Sequence, residues 1–143
     1  MTWRTAAVAM LTLCLLGVSA APLPAQAGAA TRVLDAPFER AWAVTESVLK
    51  SLGWEIDKHD RAVGWILTNS RGVDFKDFGV YGDGTRHKLR LTLKAVGEGK
   101  TVVSVERELY KEERILWMRE KRPLKAPDQS VETATLNAIE KSL

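Results

Sequence analysis

Few side chains in this sequence stand where they could do chemistry together. The acid–base candidates are two histidines, His59 and His87, in separate segments and with no serine, cysteine or carboxylate at a spacing that makes a nucleophile–base pair. No Gly-x-Ser-x-Gly elbow, phosphate-cradling glycine loop or zinc-type His/Cys cluster occurs, so no catalytic residue and no cofactor is assigned. Asp74, Asp77 and Asp83 lack the ligand spacing of a calcium loop, and no metal site is assigned to them. His87 falls on the apolar face of an alternating segment and reads as a buried, hydrogen-bonded structural histidine; His59 reads as a solvated turn residue.

Binding chemistry has better candidates. Residues 71–85 combine four glycines, three acids and the aromatics Phe75, Phe78 and Tyr81 without clear periodicity, and a loop of that length in a small domain is usually functional or mobile. Those rings form either an exposed docking or ligand-entry surface, or a lid folded back over the end of the core. Arg107 sits on the inward face of its strand. Either it holds an anionic group inside a sheet–helix cavity, or, more plainly, a β-bulge turns it outward or its stem lies along the sheet edge with the guanidinium in water.

The elements that position these residues centre on Arg86 to Tyr110. His87, Leu89, Leu91 and Leu93 alternate with Lys88, Arg90, Thr92 and Lys94, the period of a half-buried strand, and Gly97-Glu98-Gly99 supplies a turn. With Glu98 at the apex, Leu93 faces Val103, Leu91 faces Val105, Leu89 faces Arg107, Arg90 meets Glu106 and Lys88 meets Glu108. One register aligns apolar pairs and opposite charges together, and a one-residue slip spoils both.

Before this hairpin, Thr31–Leu34 reads as a strand. Phe38, Ala41, Trp42, Thr45, Val48, Leu49 and Leu52 then recur at helical steps between an Asp35 or Ala36 cap, with Pro37 at the first turn, and a stop at Gly53. Trp54–Lys58 and Trp65–Asn69 form a second hairpin about Asp60–Gly64, with either Trp65/Leu67 or Ile66/Thr68 facing inward. Large side chains at Phe38, Trp42, Trp54, Trp65 and Leu91 favour a filled core. After Tyr110, a charged segment holds the apolar patch Ile115–Met118, which continues the strand, makes a further edge strand, or forms a short helix. Capped by Asp128 or Ser130, a final helix carries Val131, Thr135, Leu136, Ala138, Ile139 and Leu143. The order β-α-β-β-β-β-α defines an α+β fold of helix-grip type: an antiparallel sheet packed against N- and C-terminal helices.

Residues 1–27 read as a signal peptide: Arg4, then an apolar run from Ala6 to Ala20, then the small-residue site Ala25-Gln26-Ala27. Cleavage follows Ala27, with Ala20 as the alternative; the run is too short for a stable membrane span. Cys14, the only cysteine, lies in that run after Thr12-Leu13, which disfavours a lipid anchor. Residues 28–143 then make one domain without a thiol, held by its core alone. They carry 20 basic and 18 acidic residues, near balance and without the basic stripe that nucleic-acid binding needs.

Ala36-Pro-Phe-Glu-Arg-Ala-Trp42, Leu52-Gly-Trp54, Asp60-Arg-Ala-Val-Gly64 with Trp65-Ile66, and the closing Glu132, Leu136, Ile139 and Leu143 resemble the repeated domain of the BamC-like family, accessory lipoproteins of the outer-membrane β-barrel assembly machinery. The resemblance spans residues 31–143. This chain has one such domain where the family carries two. It implies a non-enzymatic envelope protein, periplasmic or outer-membrane associated, that binds an envelope protein through the 71–85 loop or an open sheet edge. The alternative expectation is a START-like carrier with a small apolar ligand between sheet and C-terminal helix, which requires an internal void of roughly 300 Å³ or more.

Overall fold

A computed structural model describes residues 28–143; the leader over residues 1–27, with Cys14 and both cleavage positions, lies outside the described residues. Strand β1 (Ala29–Leu34) leads to helix α1 (Phe38–Ser51), and the hairpin β2 (Ile56–Asp60) and β3 (Trp65–Thr68) follows. Two short strands, β4 (Arg71–Gly72) and β5 (Lys76–Asp77), precede the long pair β6 (Tyr81–Ala95) and β7 (Thr101–Ile115). Strand β8 (Met118–Leu124) and helix α2 (Ser130–Lys141) complete the chain. The result is an α+β fold in which eight strands form one antiparallel sheet, ordered β1-β7-β6-β3-β2, with β4 and β5 also on β6 and β8 also on β7.

The β6–β7 ribbon has the register that its pattern demands. Leu93 pairs with Val103, Leu91 with Val105, Arg90 with Glu106, Leu89 with Arg107 and Lys88 with Glu108. It runs further than the alternation predicts, from Tyr81 to Ile115 rather than from Arg86 to Tyr110. Both helices pack on one face of the sheet. Trp42, Val48 and Leu49 from α1 and Leu136 and Ile139 from α2 meet Ile66, Leu89, Leu91, Leu93, Val103 and Val105 in a single core.

Several boundaries differ from expectation. Pro37 itself caps α1, without a side-chain bond, and Leu52 is exposed rather than part of the buried stripe. In the second hairpin Ile66 and Thr68 face inward, so Trp65 lies on the opposite face and outside the core. Gly64 decides this packing: at φ 89° its Cα sits against the Leu93 carbonyl, where any Cβ would collide. His59 is a β2 residue, not a turn residue, with Nδ1 2.7 Å from Glu46 Oε1. Residues 71–85, expected to be irregular, contain β4, β5 and the first third of β6.

Beyond Leu89 on β6 and Val105 on β7, no further member of either strand joins the apolar core. From that point β6, β7 and β8 continue as an arm, edged on β6 by β4 and then β5, about 20 Å long from His87 to Tyr81 at the usual strand rise.

Candidate functional site

The arm is held together by small local devices. On its outer face, Gly82 and Gly84 leave room for Phe75: a Cβ at Gly82 would come within 2.7 Å of the Phe75 ring, and one at Gly84 within 2.6 Å of the Phe75 Cα. Gly84 also has φ 141°, so both space and backbone conformation demand glycine there. The Arg86 guanidinium lies 5.0 Å from the Phe75 ring centre. Nearby, Tyr110 and Glu112 are buried on β7 beside β8, where Lys121 Nζ lies 5.1 Å from the Tyr110 ring and 3.8 Å from Glu112 Oε2. The three aspartates of this region serve turns and ion pairs. Asp74 accepts from the Thr85 amide, Asp77 from the Gly79 amide and Arg114, and Asp83 Oδ1 lies 3.4 Å from Lys111. The bonds from the Thr85 and Gly79 amides hold the Asp74 and Asp77 carboxyls below the ordinary carboxylate range.

Phe75 therefore folds back onto the sheet, while Phe78 and Tyr81 do not. Their rings stack at 6.1 Å at the end of the arm, where Phe78 is 64% exposed. Two tight turns lie side by side there. In one, the Phe78 amide donates to the Tyr81 carbonyl; in the other, Leu116 and Trp117 join β7 to β8, and the Leu116 amide donates to the Val80 carbonyl at 2.6 Å. The tip thus gathers Phe78, Val80 and Tyr81 with Ile115, Leu116, Trp117 and Met118, all exposed and Trp117 at 83%.

Nothing about folding asks for this composition. Leu116 takes φ 55°, a left-handed conformation that costs a non-glycine residue about 1–2 kcal/mol, at the first position of a two-residue turn where glycine would be unstrained. Of the tip residues, sequence reasoning singled out Phe78 and Tyr81. It noted the Ile115–Met118 patch without assigning it a role, and it missed Val80. The signal for Trp117 was available: a strongly apolar tetrapeptide between charged segments, with no turn residue in it.

Immediately behind the tip lies a charged belt. Arg119 pairs across the ladder with Arg114, one residue back from the Ile115–Met118 pair, and Arg114 Nη2 also donates to the Gly79 carbonyl at 2.9 Å. Between Met118 and Lys125 four basic residues, Arg119, Lys121, Arg122 and Lys125, face one acid, Glu120. Lys121 and Arg122 pair with Glu112 and Glu120, whereas Arg119 and Lys125 form no ion pair among the described residues.

Arg107 lies elsewhere, at the root of the arm. No bulge turns it outward, since the ladder is regular through Leu89 and Arg107, and only 8% of its side chain meets solvent. Its Nη2 donates to the Asp128 carbonyl at 2.9 Å, and its Nε lies 3.7 Å from Oε1 of fully buried Glu132. The inward placement is correct, but the anion it meets is the chain's own carboxylate. His87 is buried next to this pair, its ring 5.0 Å from Trp54, and its Nδ1 has no hydrogen-bond partner among the described residues, unlike the bonded histidine expected. Burial, reinforced by Arg71 and Arg107, lowers the His87 pKa.

Among the clefts of the described residues, three stand out. One, of about 670 Å³, opens between β7, β8 and the segment before α2, lined by Lys88, Glu108, Tyr110, Lys121 and Asp128. A second, of about 730 Å³, runs along β2 from Trp54 to His59, and the third lies on the outer face around Trp65 and Leu67. None of the three lies between α2 and the sheet.

Fold and site together define a small α+β domain whose distinguishing feature is an arm with an apolar tip. No protein-family model matches the chain, and no curated protein matches it. Among the described residues no helix is long and apolar enough to cross a membrane.

Proposed function

We propose that this chain is a non-enzymatic accessory module of the bacterial envelope, of the BamC-like kind, with a helix-grip-like body exported to the periplasmic side of the outer membrane. The arm docks the module onto an envelope component, and the body remains available to an envelope protein. The observation that carries this reading is the tip, where seven exposed apolar side chains sit at the far end of the ribbon from the core, on a backbone strained at Leu116. Exposed patches of this kind mark interaction surfaces, and strain of this kind persists where function holds it.

The sheet edges at β8 and β2 fit docking less well. Strand β8 reads Met-Arg-Glu-Lys-Arg-Pro-Leu and β2 reads Ile-Asp-Lys-His-Asp, and charged residues and proline on an edge discourage the addition of another strand. The START-like carrier is the weaker reading, because fully buried Leu89, Leu91, Val103, Val105 and Ile139 fill the space under α2.

A photo-crosslinking residue placed at position 117 in the full chain, followed by fractionation of the expressing cells, tests the proposal. Adducts with envelope components, none arising from the same residue at exposed Val63 on the body, are the expected result. Retention in the cytoplasm, or equal adducts from both positions, would overturn it.

A further inference from the structure

The tip has the layered chemistry of a lipid–water boundary. Outermost are Trp117, Phe78, Val80, Leu116 and Met118. Tyr81 stacks beneath Phe78, and Arg114 and Arg119 stand one residue further back, followed along β8 by Lys121 and Arg122 and just after it by Lys125. Tryptophan and tyrosine favour the headgroup level of a bilayer, and arginine or lysine just behind an apolar segment reaches phosphates while its stem stays with the apolar layer.

Part of the tip backbone meets the other condition for entering lipid, that polar main-chain groups be bonded internally. The Phe78 amide bonds Tyr81, the Leu116 amide bonds Val80, and the Gly79 amide bonds Asp77. Arg119 and Lys125, which form no ion pair among the described residues, complement anionic headgroups.

We infer that the tip inserts into the headgroup–acyl boundary of an anionic phospholipid bilayer, with Trp117 and Phe78 as its apolar anchors and Arg119 at the phosphate level. This rests on the docking reading above and names the surface on which the arm docks. Insertion of about 5–10 Å, the usual depth for an interfacial segment, immerses both turns and leaves the body and its helices in water.

The test uses the full chain with vesicles of phosphatidylcholine and phosphatidylglycerol in equal parts, and with phosphatidylcholine alone. Residues 1–27 are common to every variant, so differences between variants read the tip. Wild-type minus Trp117→Phe emission isolates Trp117, which should shift to the blue on the anionic vesicles and be quenched by lipids brominated near the glycerol end. The double variant Phe78→Ser/Trp117→Ser should bind those vesicles about tenfold or more weakly at an unchanged melting temperature, and high salt should weaken wild-type binding.

Equal vesicle binding by the double variant, or a Trp117 that keeps its solvent-exposed emission, would overturn the inference. If Trp117 ignores vesicles yet a crosslinker at position 117 still captures an envelope protein, the lipid assignment fails and the docking reading stands. Loss of both signals removes both.

Discussion

Glu132 is fully buried and depends on Arg107 for its charge partner, so a large single-residue effect is expected from either member of this pair. Removing one member strands the other's charge in the interior, whereas replacing both with apolar residues of similar volume removes the desolvation problem entirely. Arg107→Met or Glu132→Leu alone should lower unfolding free energy by about 3–5 kcal/mol, and the double replacement by clearly less than either, as read from urea titrations. His87, beside that pair, gives the body a pH dependence of definite sign. Its folded pKa is lowered from 6.5, so the unfolded chain takes up the proton first as pH falls. The stability that neutral His87 contributes is present above the unfolded value and drains away as pH falls from there toward the folded pKa. Urea midpoints measured through that window should decline for wild type and decline less for His87→Gln; identical slopes would show that His87 is not the titrating group.

At the level of elements, the β6–β7 ribbon organises both the body and the arm. Its register was legible in the sequence because Leu91, Leu93, Val103 and Val105 and the charges at 88, 90, 106 and 108 all specify the same pairing. Side chains refine that pairing. Arg90 reaches diagonally to Glu108 at 3.2 Å, where Lys88 Nζ also sits at 2.9 Å, rather than straight across to Glu106. Glu108→Lys should therefore destabilise more than Glu106→Lys, though by only about 0.5–1 kcal/mol because these groups are partly exposed. Adding Arg90→Glu to Glu108→Lys should restore much of the loss in thermal melts. The arm was not legible, for physical reasons. From Tyr81 to Thr85 the strand has no alternation to read, being held by Phe75 lying over Gly82 and by the Asp74 bond to the Thr85 amide, both tertiary devices. Strand β8 was left open, a further edge strand being one of three readings, because Leu116-Trp117 carries none of the glycine or asparagine that marks a two-residue hairpin.

For the molecule as a whole, a body with a filled core and an arm with a greasy end divide the labour. The body's amphipathic helices and alternating strands announced themselves because the hydrophobic effect writes their faces into the sequence period. The tip escaped that logic: Phe78 and Tyr81 were visible as aromatics in a glycine-rich stretch, but sharing one end with Trp117 depends on two turns, joined by the Leu116–Val80 bond, that lie far apart in sequence. Docking through this end is the central claim, and it makes a spatially sharp demand. Hydrogen–deuterium exchange of the chain with and without envelope membranes tests it most directly. Protection confined to residues 77–81 and 115–119, with the 60–64 turn unchanged, is the predicted result. Protection centred on the body with the tip still exchanging freely would contradict it.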